Sequence, residues 1–358
     1  MNILGISAYY HDSAACLLID GTIVAAAHEE RFTRLKHDSS YPENAISYCL
    51  SQLDNVSVNI DYVAFYDNWA LKRKRVLEAA LMEGQKAASN LHSSIANWSN
   101  ESDLIDSIAI SLNWSKSKTK DRLHCVQHHF SHAASAYYCS DFDDTSVITV
   151  DGVGEFSTTT IGHGKKGNLV LRKSIDFPHS LGLFYSAFTS YLGFKVNSGE
   201  YKLMGLAPYG KPVYYDELIN NIISLNTNGS FELNLKYFRY HFSREMVDTQ
   251  AVFNLTGVTS RTELDEMEES HMNLAASVQA VIDTALSNLT KAAVELNGTR
   301  NVCYAGGVAL NCSSLGKITQ SNIVDNLFVQ PAAGDAGGSM GAALARHHQL
   351  DAAPAKTN

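Results

Sequence analysis

The chain has 358 residues, 45% of them hydrophobic, which is enough for one large or two ordinary globular domains with a substantial core. It carries 28 basic and 37 acidic residues, and the formal net charge of −9 does not indicate a nucleic-acid-binding surface over the whole protein. No apolar stretch approaches the roughly 18 residues that a membrane span requires.

The number and spacing of the cysteines indicate the compartment in which the protein is expected to lie. Six of them are scattered along the chain without C-x-x-C spacing, and most lie in apolar runs such as AACLLI. This usage is typical of free, buried thiols in a reducing compartment. Because the N-terminal sequence also lacks the basic segment of a secretion signal, we expect a cytoplasmic protein without a membrane anchor.

The chain opens with a pattern of three consecutive strands joined by short turns. The segments NILGISAYY, AACLLID and TIVAAAHEERF carry this pattern, with the turn Asp20-Gly21 between the last two. A helix around residues 41–53 and a short strand at 62–67 follow. Residues 69–120 are polar with a helical pattern, which predicts a helical insertion.

The same opening recurs in the second part of the chain. Residues 146–177 again give three strands separated by glycine-containing turns. A long helix is predicted at 271–296, and the pattern then reads strand, helix, strand and a final helix at 339–348.

Two similar halves, each opening on a three-strand meander, predict an α/β fold. By analogy of pattern this is the duplicated fold shared by actin, sugar kinases and Hsp70 chaperones. We place the halves at residues 1–143, including the insertion, and 144–350. Residues 351–358 are expected to form a frayed tail.

Four side chains are candidate metal ligands. His128 and His132 lie one helical turn apart, so both rings leave the same face of a helix. Asp151 follows a predicted strand, and Asp335 lies between a strand end and a glycine-rich helix start. Two imidazoles and two carboxylates suit iron(II), zinc or manganese. The H-x-x-x-H pair alone also fits surface histidines or hydrogen-bonded core histidines.

Two glycine-rich segments are candidates for anion binding. Residues 305–311 (AGGVALN) and the stretch from Gly334 to Leu344 each follow a predicted strand and open a helix. This geometry presents backbone N–H groups to an anion such as a nucleotide phosphate. Tight turns between helix and strand are the simpler interpretation of each segment alone.

The segment 197–212 (NSGEYKLMGLAPYGKP) is a candidate nucleotide-binding loop. Glu200 and Lys202 are suited to hold a ribose and a phosphate, and Met204 and Gly205 could line an adenine slot. A structured surface loop without a ligand explains the same composition.

The first hairpin supplies candidate catalytic groups. His11 lies in the first turn, where it could act as the base for a hydroxyl nucleophile. Lys36 and Arg34 are suited to hold an anionic leaving group. A solvated, charged strand end is an equally good interpretation of these residues.

Taken together, six segments resemble, in order, the O-carbamoyltransferase family of nodulation-factor and antibiotic biosynthesis, which includes the tobramycin and cephamycin enzymes. The resemblance extends from residue 2 to about residue 346. The segments that carry it are HDSAACLLIDGTIVAAAHEERFTRLKH, HHFSHAASAYY, VDGVGE, SGEYKLMGLAPYGKP, AGGVALN and PAAGDAGGSMGAAL.

The resemblance implies a specific reaction. In that family, carbamoyl phosphate and ATP give carbamoyl-adenylate in a carboxy-terminal domain. The amino-terminal domain, which is similar to the tRNA threonylcarbamoyl-transfer protein, moves the carbamoyl group to a hydroxyl of a small molecule. The present sequence resembles the amino-terminal transfer domain only, so we expect the adenylate to come from a missing domain or a separate adenylate-forming protein.

The resemblance also implies roles for individual residues. The family's metal ligands fall on the same four side chains, and iron(II) is the implied ion. The motif histidine and lysine of the first meander fall on His11 and Lys36. The nucleotide-cradling positions fall on Glu200, Lys202, Gly205, Gly306, Gly307 and Asn311.

Three other functions remain open at this stage. Threonylcarbamoyl transfer to tRNA uses similar chemistry, although the segments EERFTRLKH and SGEYKLMGLAPYGKP favour a small-molecule acceptor. A non-catalytic, nucleotide-binding partner subunit is the second alternative. A kinase or general ATPase is the third, and the sequence shows no catalytic base motif of a sugar kinase. The family resemblance favours a homodimer.

Overall fold

The computed structural model describes residues 1–53, 59–84 and 100–351. Its strands are β1 (Asn2–Ser7), β2 (Ala14–Ile19), β3 (Thr22–His28), β4 (Tyr62–Phe65), β5 (Leu123–Cys125), β6 (Asp144–Val150), β7 (Ser157–Lys165), β8 (Asn168–Asp176), β9 (Ile223–Leu225), β10 (Phe231–Leu233), β11 (Asn301–Ala305) and β12 (Asn326–Val329). Its α-helices are α1 (Glu30–Thr33), α2 (Glu43–Ser51), α3 (Trp69–Glu83), α4 (Asn100–Ser111), α5 (Lys116–Arg122), α6 (His128–Tyr137), α7 (Leu181–Tyr191), α8 (Glu200–Leu206), α9 (Tyr215–Asn221), α10 (Thr249–Thr256), α11 (Glu269–Asn297), α12 (Cys312–Gln320) and α13 (Asp335–Asp351).

Two five-stranded sheets share one topology. The first has the order β3-β2-β1-β4-β5 and the second the order β8-β7-β6-β11-β12. In each sheet an antiparallel three-strand meander is extended by two strands that run parallel to its first strand. The predicted α/β fold with two similar halves is therefore confirmed.

The central strands are buried because helices cover the sheets. Within β6, the residues from Thr145 to Val150 are all buried, and β2 is buried from Ala14 to Leu18. Such continuous buried runs are typical of strands with both faces covered, whereas the edge strand β8 is largely exposed. The carboxyl ends of β1 and β6 thus lie inside the molecule, where they can present side chains to a shared cleft.

The final helix, α13, connects the end of the chain to the first sheet. Ala342 and Ala343 are fully buried in the hydrophobic core that surrounds β1, together with Ile3 and Leu4. A side chain on Gly341 would meet the backbone oxygen of Ser131 in α6, so α13 and α6 are in direct backbone contact. This packing places the N-terminus of α13 beside α6.

Some local predictions need correction. Glu30–Thr33 form the short helix α1 and do not continue strand β3, because the chain turns after His28. Glu200–Leu206 form helix α8, whereas a loop was expected there. The insertion is helical at α3, α4 and α5, although residues 85–99 and the expected tail beyond residue 351 lie outside the described residues.

Two further expectations were that the cysteines are free and buried and that no segment spans a membrane. All six cysteines are free; three of them are buried, but Cys125 and Cys312 are exposed. Within the described ranges, no helix is both long and apolar enough to cross a membrane.

Two glycine-to-alanine substitutions test the packing of α13. We expect Gly341→Ala to destabilise the protein by about 1–3 kcal/mol, because the new methyl group overlaps the backbone of α6. Gly316→Ala in α12 is the matched control: its methyl group meets no atom within 4 Å, and removing a helix glycine should stabilise by up to about 1 kcal/mol. Urea unfolding measures both changes, and equal effects would contradict the packing described.

Candidate metal centre and adjoining cleft

Four side chains from three elements converge on one point. His128 and His132 come from α6, Asp151 follows β6, and Asp335 is the first residue of α13. One ligand atom from each of the four lies within 4.8 Å of every other. His132 and Asp335 are almost fully buried, and the Asp151 side chain is 13% exposed. The four predicted ligands are thus brought together in the fold.

The atoms that face each other carry lone pairs. The Nε2 atoms of His128 and His132 are 3.0 Å apart, and Asp151 Oδ2 lies 2.8 Å from His128 Nε2 and 3.4 Å from His132 Nε2. Asp335 Oδ1 lies 3.6 and 3.5 Å from the same two nitrogens and has no hydrogen bond. A buried carboxylate oxygen without a partner is costly, and a cation at the centre of the group would satisfy it. The donor set therefore fits a divalent metal ion.

The charges of the cluster are strongly coupled. Burial alone would lower the pKa of His132, but Asp151 and Asp335 beside it raise this pKa to about 9. Burial would raise the pKa of Asp151, yet its hydrogen bonds to His128 and His132 hold it well below its usual range. Without a cation, protons on the imidazoles must balance the buried carboxylates. A metal ion would replace these protons.

Neighbouring groups fix the ligands. Glu155 is buried, and its carboxylate accepts hydrogen bonds from the backbone N–H groups of His128 and Asn68, so it caps the N-terminus of α6. The backbone N–H of Gly307 donates to Asp151 Oδ1 at 2.9 Å. A side chain on Gly306 would meet the backbone oxygen of Val150 at 2.3 Å, so a glycine is needed for this approach.

His129 is not part of the cluster, as expected from its position on the helix. Its Nδ1 atom lies 2.6 Å from the Thr149 hydroxyl in β6. Burial, together with His128 and His132, lowers the pKa of His129 to about 3. This histidine is therefore a neutral core residue.

A cleft with a volume of about 240 Å³ adjoins the cluster. Asp151 belongs to the cluster, because its Oδ2 atom faces the two histidines. The same residue also lines the cleft. The cleft also receives predicted residues from distant parts of the chain, namely His11, Lys36, Glu200, Met204, Gly307, Asn311 and Gly334. Both predicted catalytic residues and part of the predicted nucleotide-binding set therefore line one cavity next to the candidate metal centre, whereas Lys202, Gly205 and Gly306 do not line it.

His11 is held at the side of the cleft nearest the cluster. Its Nδ1 atom is 2.9 Å from Asp12 Oδ2, and its Nε2 atom is 3.8 Å from Asp335 Oδ2. Asp12 also lies 2.7 Å from Nδ1 of His37, so one carboxylate orients two histidines. Burial would lower the pKa of His11, but Asp335 and Asp12 raise it to about 9.

The two predicted cations of the first meander differ in position. Lys36 lines the cleft, with Nζ 5.0 Å from the centre of the Tyr201 ring. Arg34 is exposed and does not line the cleft. Lys36 is therefore the cation available to a bound anion.

The predicted nucleotide-binding residues also divide into two groups. The Glu200 carboxylate faces the cleft and accepts hydrogen bonds from Ser186 Oγ and from the backbone N–H groups of Asn197 and Gly199. Lys202 is exposed outside the cleft, with Nζ 5.9 Å from the centre of the Phe194 ring. Gly205 is also exposed and outside the lining.

Sequence reasoning missed Asp12 and Glu155. Both lie in segments that were recognised, yet each acts on a residue from another part of the fold. The adjacency of Asp12 to His11 was the available signal for the first. The sequence had no corresponding signal for Glu155, which caps a helix 27 residues earlier in the chain.

Comparison with known proteins places the chain in a family. A family model described as the carbamoyltransferase N-terminus matches residues 2–344. The chain belongs to the carbamoyltransferase family. This confirms the family that the motifs predicted.

Two relatives of this carbamoyltransferase N-terminal region match nearly all of it. An uncharacterised protein of Synechocystis sp. is 44% identical over 352 residues, which are 97% of this chain and 57% of the relative. The nodulation protein NolNO of Sinorhizobium fredii is 32% identical over 342 residues, which are 96% of this chain and 47% of the relative. The chain thus spans about half the length of these relatives.

Solved structures give a weaker likeness. HypF of T. kodakarensis superposes with a TM-score of 0.47 at 15% identity, over 98% of this chain and 48% of that chain.

Substitutions at the two ends of β6 test the metal centre. We expect Asp151→Asn to lower zinc affinity by more than about 100-fold, because it removes an anionic ligand. Asp144→Asn is the control, since Asp144 pairs with His163 and Lys165 at the opposite end of the strand. Zinc retained after dialysis is the first readout.

Thermal unfolding is the second readout of that experiment. Zinc at 100 times its dissociation constant should stabilise the wild type by about 2.7 kcal/mol and the Asp144→Asn variant equally. Equal retention and equal stabilisation in the Asp151→Asn variant would show that zinc binds elsewhere.

Proposed function

We propose that this chain transfers a carbamoyl group from carbamoyl-adenylate to a hydroxyl group of a small-molecule acceptor. The observation that carries the proposal is the double position of Asp151, which belongs to the candidate metal centre and to the wall of the cleft. A metal ion held there would lie beside any ligand in the cleft. Family membership supplies the group to be transferred.

The proposed metal is iron(II), held by the two histidines and two aspartates. When bound, it would supply a Lewis acid that offsets the negative charge developing on the carbamoyl and phosphate oxygens. Zinc and manganese suit the same donor set.

The cleft residues bind and orient the donor. Glu200 is suited to accept hydrogen bonds from ribose hydroxyls, because backbone and serine donors hold its carboxylate at the cleft wall. Met204, Val308 and Leu310 add apolar surface for a purine ring. Lys36, which lines the cleft, would offset the charge of the departing AMP.

His11 takes the proton of the acceptor. The acceptor oxygen attacks the carbamoyl carbon, the bond from that carbon to the phosphate oxygen breaks, and AMP leaves with the bonding electrons. Asp12 holds His11 Nδ1, so Nε2 is the nitrogen that receives the acceptor's proton. His11 can do so at neutral pH only where the charge of Asp335 is offset, since that carboxylate raises its pKa.

The remaining partners are also part of the proposal. A separate protein or domain supplies carbamoyl-adenylate, and the chain acts as a homodimer in the cytoplasm. The acceptor is a small alcohol of natural-product type, and monosaccharides or amino sugars are suitable first probes. Neither Lys202 nor Gly205 lines the cleft, and their predicted roles would require a ligand that extends beyond it.

Carbamoyl transfer can be tested directly with the purified chain. Incubation with iron(II), carbamoyl-adenylate and a panel of monosaccharide acceptors should release AMP and add the mass of one carbamoyl group to an acceptor. We expect His11→Ala to slow transfer by about 10²–10⁴-fold, because the proton acceptor is lost.

His163→Ala is the matched control, since His163 pairs with Asp144 far from the cleft lining. It should retain wild-type transfer. Carbamoylated product formed equally well by the His11→Ala variant would contradict the role of His11. Absence of AMP release and of product with every acceptor would count against the proposed function itself.

A further inference from the structure

A buried polar network lies behind the cleft wall. Gln279 and Asp283 stand one turn apart on α11, and Asn311 caps the N-terminus of α12. Gln279 is 5% exposed and Asn311 is 7% exposed. Only Asn311 and Tyr185 of this network reach the cleft. The network therefore connects a cleft residue to two residues that no bound ligand would touch.

The two carboxamides form a reciprocal pair. Gln279 Nε2 donates to Asn311 Oδ1, and Asn311 Nδ2 donates to Gln279 Oε1, both at 3.1 Å. Gln279 Nε2 also lies 2.9 Å from Asp283 Oδ1. Ser314 contributes three times: its hydroxyl donates to Asp283 and lies 2.9 Å from Gln279 Nε2 as an acceptor, and its backbone N–H donates to Asn311 Oδ1.

Asp283 sets the direction of every bond in this pair. Its carboxylate is ion-paired with Lys317 and can only accept hydrogen bonds, so the amide nitrogen of Gln279 must face it. Gln279 Oε1 then faces the Tyr185 hydroxyl, which donates to it at 2.9 Å, and the Asn311 amide nitrogen. Burial and the charge of Asp283 raise the pKa of Tyr185, so this hydroxyl keeps its proton.

The orientation of Asn311 follows from that direction. Both lone pairs of its Oδ1 atom are used, one by Gln279 and one by the backbone of Ser314. One hydrogen of its Nδ2 atom goes to Gln279, which leaves the second hydrogen for the Tyr185 hydroxyl at the cleft wall or for a ligand in the cleft. Asn311 can therefore offer the cleft a hydrogen-bond donor but no acceptor.

We propose that Gln279 is a positioning residue of the nucleotide site: together with Asp283 it fixes the Asn311 amide so that an N–H group faces the cleft. This inference rests on the proposed function, in which the cleft binds an adenylate. The group that Asn311 contacts is then an acceptor on the nucleotide, such as a ribose oxygen, a purine ring nitrogen or a phosphate oxygen.

A double-mutant cycle with AMP as the probe tests this role. Calorimetric titration of the full chain should give about tenfold weaker AMP binding for Asn311→Ala, the loss of one hydrogen bond. Gln279→Glu should weaken binding by a similar factor, because a carboxylate beside Asp283 cannot hold Asn311 in place. The double variant should bind AMP no more weakly than Asn311→Ala, since Gln279 acts through Asn311.

Two further variants complete the experiment. Gln250→Glu makes the same change on the exposed face of α10, where Gln250 contacts Asn254, and should leave AMP binding unchanged. Asp283→Asn removes the acceptor-only group with little change of shape, and it should also weaken AMP binding. It serves as the test if Gln279→Glu fails to fold.

The outcomes separate this inference from the proposed function. Wild-type affinity in both the Gln279→Glu and Asp283→Asn variants would overturn the inference, as would additive losses in the cycle. If the wild-type chain does not bind AMP, the proposal that the donor is an adenylate is overturned. The inference about Gln279 then falls with it. If the AMP affinities of the variants follow the predicted double-mutant cycle but the chain transfers no carbamoyl group, the positioning role stands. That result would count against the proposed reaction.

Discussion

The structure depends on the meeting of two carboxylates, one buried and one at the cleft wall, with two buried imidazoles at the junction of α6, β6 and α13. Placing an aspartate such as Asp335 in the interior is costly unless its charge is balanced. Protons on His128 and His132 give partial balance, but Asp335 Oδ1 still has no hydrogen bond. A divalent cation at the point on which all four side chains converge would balance the charge. The cleft adjoins that point through Asp151.

The duplicated topology explains why these groups can meet. In each sheet the first strand of the meander ends in the interior, β1 towards His11 and β6 towards Asp151. The chain returns to the first sheet through α13, where Gly341 allows contact with the backbone of α6 and Gly5 of β1 allows contact with the backbone of α13. Asp335, at the start of α13, is thereby carried to the histidines of α6. Residues from both halves consequently face one cavity, which suits a reaction that joins a nucleotide donor to a separate acceptor.

Much of this arrangement is readable from the sequence, because it depends on local spacing. The His128 and His132 pair follows from helical periodicity, and Asp151 follows from its place at a strand end. The paired meanders predicted the two sheets for the same reason. Short patterns also mislead, as at Glu30–Thr33, where residues that continue a strand pattern form a helix.

Other features depend on contacts between distant segments. Gln279 lies within an ordinary helical pattern, and only the fold shows that its amide meets Asn311, 32 residues later. Glu155 similarly gains its role by capping a helix from another element. The exposure of Lys202 was hidden for the same reason, because the sequence does not show which face of α8 meets the cleft.

X-ray absorption at the zinc edge of the zinc-loaded chain tests the central claim most directly. The account predicts only nitrogen and oxygen neighbours at about 2.0–2.2 Å, with the outer scattering of two imidazole rings. A sulfur neighbour at about 2.3 Å, or scattering from no imidazole, would contradict it.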